Sequence, residues 1–135
     1  MGFKDDDLRH IVVTHLDFDH AGGLADFPDL RWSPRACVGV VVASAHYPDD
    51  AAITLGVPIR GLAEMPRGVL IFHAGTRFEP AKGLVTDGGR VVTSVALGDT
   101  VAEAREKALA GARQVRFAGA FFRSDIARED SLGGS

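Results

Sequence analysis

The stretch from residue 84 to residue 115 constrains the fold more than any other. Two β-rich runs, "LVT" and "RVVTSVAL", flank Asp87-Gly88-Gly89, and "GDTVAEAREKALAGARQV" follows directly on the second. In that last segment Val101, Ala104, Ala108, Ala112 and Val115 recur at intervals of three and four, which places them on one face of a helix. Thr100 and Glu103 have the spacing of a capping box, in which each side chain satisfies a free backbone N–H at the helix start. Glu103 and Lys107 are spaced to pair on the outer face. Gly111 costs a helix interior about 1 kcal/mol relative to alanine, so a close approach is expected there. A helix with one apolar face has to bury it against another layer. Aspartate and glycine tolerate the positive φ of tight turns, so the runs beside Asp87-Gly88-Gly89 predict an antiparallel hairpin in that layer.

Two other segments supply further strands. "CVGVVVAS", residues 37–44, is continuously apolar, which predicts burial on both faces. "VLIFHAG", residues 69–75, reads as another strand. Residues 51–68 carry Gly56, Pro58, Gly61, Pro66 and Gly68, so they read as loop with one helical turn near residues 62–65. "FAGAFFRSDIA" follows the helix and reads as an aromatic turn that plugs the core. The predicted class is α+β: an antiparallel sheet with one dominant helix, preceded by an N-terminal strand-loop appendage.

Bulk properties exclude several functions. The formal net charge is −3 and the basic residues are scattered, so there is no electrostatic footprint for nucleic acid. Cys37 is the only cysteine, which leaves no internal disulfide and agrees with a reducing cytoplasm. The start is acidic and polar, unlike a signal peptide. The longest apolar run is far too short to span a bilayer.

The segment "HIVVTHLDFDHAGG", residues 10–23, is a β-branched run followed by a loop rich in metal-ligating side chains. Imidazole and carboxylate groups suit zinc or iron, and His15, Asp17, Asp19 and His20 are spaced to converge. The segment resembles the His-x-His-x-Asp-His signature of the metallo-β-lactamase superfamily, with Asp17 where that pattern has its second histidine. The resemblance implies a zinc site at His15, Asp17, Asp19 and His20. The later ligand loops of that family have no counterpart in the rest of the chain.

A second resemblance covers residues 29–127. "LRWSPRACVGVVVASAHYP", "GVLIFHAGT", "GLVTDGGRVVTSVALGDTVAEAREKA" and "VRFAGAFFRSDIA" are similar, in order, to the C-terminal domain of the phosphoribosylamine–glycine ligase family, which is itself similar to the biotin carboxylase C-terminal domain. The resemblance implies an ATP-grasp ligase of purine biosynthesis, with ATP and magnesium as cofactors of the full-length enzyme. It implies that this domain packs beside the active site. The positions expected to face that cleft are Thr86, Gly88, Gly89 and Arg90, where two glycines and a guanidinium suit an anion. Where the family has Gly-Gly-Tyr-Pro-Gly, this chain has Ala45-His46-Tyr47-Pro48-Asp49. His73 matches the family's histidine and is expected to be structural.

The expected organisation is a metallo-β-lactamase-like fragment over 1–28, the ligase C-terminal domain over 29–127 and a frayed tail over 128–135. The leading expectation is an accessory ligase domain in the cytoplasm, inactive alone, whose partners are the missing ligase domains or a partner chain. The alternative is a truncated metal-dependent hydrolase. A third possibility is a binding module, with the strand at residues 10–14 pairing with another chain's sheet edge.

Overall fold

The computed structural model describes residues 31–128. The chain divides into two units, Met1–Ser33 and Pro34–Ser135, and every element named below lies in the second. Residues 10–23, with His15, Asp17, Asp19 and His20, lie outside the described residues.

The second unit contains five strands and one α-helix among the described residues: β1 Ala36–Ala43, β2 Val69–His73, β3 Thr76–Glu79, β4 Gly83–Thr86, β5 Arg90–Gly98 and α1 Val101–Gln114. Strands β1, β5 and β2 form an antiparallel sheet with β5 in the middle, and β3 and β4 form a second antiparallel pair. The α+β class with one dominant helix is therefore observed.

The hairpin expected around Asp87-Gly88-Gly89 is not made. Strand β4 pairs with β3, whereas β5 pairs with β1 and β2. Residues 74–75 and 87–89 are two adjacent crossings between the sheets. Gly75 N donates to Arg90 O at 2.8 Å, and Asp87 N donates to Gly75 O at 2.7 Å. The run from β2 to β5 is thus one long antiparallel ribbon, bent at these crossings. Its turn is at residues 80–82, where Gly83 has φ +78° and Lys82 N donates to Glu79 O. The glycines at 88 and 89 mark the bend, where backbones approach closely, and not the tip.

Strand β1 also departs from expectation. It buries Val38, Val40 and Val42 and exposes Cys37, Gly39 and Val41. A continuous apolar run suggested burial on both faces, but α1 covers one face only. The core forms where Val38, Val40, Val42, Val92 and Ala96 meet Ala104, Ala108, Leu109 and Ala112. The four helix residues are all buried, in keeping with the predicted stripe, to which Leu109 is an addition.

The helix start follows the capping-box expectation with one shift. Thr100 Oγ1 accepts from Glu103 N at 3.1 Å, but Glu103 Oε2 accepts from Asp99 N at 2.7 Å, one residue before the cap. Lys107 Nζ lies 2.6 Å from Glu103 Oε1, the predicted pair. The Lys107 ammonium, with the Asp99 amide behind it, holds the Glu103 carboxyl below its ordinary value. After the helix, Phe117, Ala120 and Phe122 pack against the core. Arg105 ties the segment down by donating to Ser124 O at 2.6 Å and Ile126 O at 2.8 Å.

Gly111 sits where α1 crosses the sheet. A Cβ there would lie 2.4 Å from Ser94 Oγ and 2.5 Å from Val69 Cγ1. Ser94 is fully buried and donates to Ala108 O at 2.8 Å, so it cannot step aside freely. Helix propensity alone would make Gly111→Ala stabilising by about 1 kcal/mol. Overpacking costs about 1–3 kcal/mol and outweighs it. Denaturant titration is expected to show a net loss of up to about 2 kcal/mol, and a gain would disprove the tight crossing.

Candidate functional site

Three segments meet at one end of the three-stranded sheet: residues 44–49 after β1, 74–75 after β2 and 87–89 before β5. The antiparallel register requires this, because Ala43 faces Arg90 and His73 faces Val92. Ser44 fastens the first segment to the third. Its amide donates to Gly89 O at 2.8 Å and its hydroxyl donates to Gly88 O at 3.1 Å. Gly89 lies against Tyr47, since a Cβ at 89 would be 2.5 Å from the Tyr47 ring and 2.9 Å from Ile53 Cδ1. The absence of a side chain at 89 is therefore a packing requirement. His46 is exposed, with φ 69°, and the Tyr47–Pro48 peptide is cis.

The four expected substrate-facing residues divide into two environments. Gly88, Gly89 and Arg90 lie at the junction, and the Arg90 side chain is exposed. Thr86 is fully buried and turned to the loop before it. Its hydroxyl accepts from Val57 N at 3.1 Å and donates to Thr54 O at 3.3 Å. Its amide donates to Val57 O, and its carbonyl accepts from Gly56 N. All of its polar groups are engaged in holding residues 54–57. Asp87, next to it, pairs with Arg77 at 3.2 Å, and Arg77 also reaches Glu79 at 2.6 Å.

Tyr47 of the Ala45-His46-Tyr47-Pro48-Asp49 stretch belongs to this junction, and so do Ser44 and Gly75, which the sequence pattern alone does not single out. Gly75 carried a readable signal, a lone glycine closing a strand, which marks close backbone approach. At 75 a Cβ would lie 2.8 Å from Arg90 O and 2.9 Å from Gly88 Cα. His73 is exposed, and its Nδ1 lies 3.1 Å from Thr76 Oγ1.

Chemically the junction presents an exposed guanidinium beside two glycines, an arrangement suited to attracting an anion. Among the described residues no group of three or more His, Cys, Asp or Glu side chains is placed to hold a metal ion. Among the described residues no helix is long and apolar enough to cross a membrane.

Comparison with known proteins places this geometry in context. The family described as "Phosphoribosylglycinamide synthetase, C domain" matches residues 37–129. A phosphoribosylamine–glycine ligase from Xylella fastidiosa is 46% identical over 120 residues, which is 89% of this chain and 26% of that protein. One from Neisseria meningitidis is 37% identical over 127 residues, 94% of this chain and 28% of that protein. A crystal structure of phosphoribosylamine–glycine ligase from Thermotoga maritima superposes with a TM-score of 0.56 at 42% identity, covering 66% of this chain and 21% of that one. The chain thus spans about a quarter of the length of these relatives. None of these comparisons supports the metallo-β-lactamase resemblance of residues 1–28.

Proposed function

The chain belongs to the phosphoribosylglycinamide synthetase C-domain family, and from that membership we propose that it serves as the C-terminal accessory part of a phosphoribosylamine–glycine ligase. On this reading it has no catalysis of its own and works in the cytoplasm, in purine biosynthesis. Its partners are the remaining domains of such a ligase, in the same chain or a partner chain. They supply the ATP and magnesium chemistry, while this unit completes the enclosure around the substrate. The observation that carries the reading is the family match over residues 37–129.

In this role the junction at the sheet end faces the shared cleft. Arg90 offers its guanidinium to a phosphate, and Gly88 and Gly89 allow close approach of the backbone. Thr86 braces the junction from behind through its bonds to residues 54–57.

The purified chain, given ATP, magnesium, glycine and phosphoribosylamine, is expected to release no ADP above the blank. Glycine-dependent turnover that co-purifies with the chain through successive columns would show that it is an enzyme by itself.

A further inference from the structure

Residues Arg60 and Arg116 form an isolated antiparallel bridge. Arg60 N donates to Arg116 O at 2.9 Å, and Arg116 N donates to Arg60 O at 3.0 Å. In a hydrogen-bonded antiparallel pair, directly opposed side chains leave the same face about 5.5 Å apart. Two like charges held that way repel each other. Arg116 is partly compensated by Glu64 at 3.1 Å, in a pair with both members well exposed. Arg60 has no ion-pair partner among the described residues.

Both arginines line one open groove of about 580 Å³, within the size range of small-molecule sites. Its other walls include Val57, Pro58, Phe117 and Ala120, an apolar surface with one aromatic ring. The groove therefore carries two arginines at directly opposed backbone positions, with an apolar bed beside them. Guanidinium forks match phosphate oxygens bidentately, and a phosphate between them would convert their repulsion into shared attraction.

We infer that this groove binds a small phosphate monoester whose flat body rests on Pro58 and Phe117 while Arg60 and Arg116 hold the phosphate. The site is separate from the junction at Arg90, and the inference does not depend on the ligase reading.

Calorimetric titration of the full chain tests it with AMP, ribose 5-phosphate and adenosine as probes. AMP is expected to bind saturably, more tightly than ribose 5-phosphate, and adenosine not at all. Arg60→Gln and Arg116→Gln are each expected to weaken AMP binding by ~10-fold or more. Arg123→Gln, an exposed charge-matched control, is expected to leave it unchanged. Both groove variants are expected to melt no lower than the parent, because each relieves the like-charge contact. Added AMP is expected to raise the melting temperature of the parent and not of the variants. Absence of saturable AMP binding, or binding that survives both groove substitutions, would overturn the inference. Equal weakening by Arg123→Gln would reduce it to net charge and overturn it as well.

Discussion

Substitution of Gly61 by alanine is expected to lower the stability of the chain by about 3–5 kcal/mol, near the upper end for single substitutions. Gly61 has φ +86°, and a Cβ there would lie 1.9 Å from Gln114 O and 2.9 Å from Gln114 C. Both are backbone atoms at the end of α1, so no side-chain rotation relieves the clash. The loop cannot retreat without breaking the Arg60–Arg116 bridge beside it. Left-handed strain adds about 1–2 kcal/mol for a residue with a Cβ. Gly68 is the internal control, because it has φ +83° with nothing within 4 Å of a Cβ. Gly68→Ala is expected to cost only the strain, about 1–2 kcal/mol. The difference between the two variants in denaturant titration isolates the steric part. Equal losses would mean that the loop and helix end are not in contact as described.

Thr86→Val is expected to cost about 2–3 kcal/mol, although it preserves the shape of a fully buried side chain. The valine leaves the Val57 amide and the Thr54 carbonyl without the hydroxyl that serves both in part-buried bonds, and polar groups left unpaired away from water carry a desolvation penalty. Thr86→Ser keeps the hydroxyl and loses a methyl, so it is expected to cost about 1 kcal/mol. Urea unfolding of the two variants distinguishes a bracing hydroxyl from one reserved for substrate. If Thr86→Val proves as stable as the parent, the bracing role is wrong.

The helix was the most legible part of the chain. Its cap, its outer ion pair and its small-residue stripe are local, and local spacing reports them directly. Gly111 was legible as an anomaly, although the sequence could not name Ser94 and Val69 as the atoms it accommodates. The strand partners were less accessible. Asp87-Gly88-Gly89 has the composition of a hairpin tip and serves instead as a bend between sheets, because a close backbone crossing and a tight turn select the same residues. The real tip, residues 80–82, lacks the Asn-Gly or Asp-Gly pair that announces a short hairpin. The "CVGVVVAS" run carries no sign of its exposed face, because Cys37, Gly39 and Val41 place no polar residue there. At the junction, Arg90 and its glycines were visible as a pattern. The inward turn of Thr86 was not, since it depends on residues 54–57, about thirty positions earlier in the chain.

The accessory-domain reading is tested most directly by transplantation. The Xylella fastidiosa ligase, deprived of the quarter that this chain matches, is assayed for glycine- and phosphoribosylamine-dependent ADP release, alone and with the full chain fused in place of the missing part. The fusion is expected to exceed the truncated ligase by ~10-fold or more, with the chain alone silent and the gain reduced by Arg90→Gln. A fusion that is folded by its melting curve yet no more active than the truncated ligase would contradict the account.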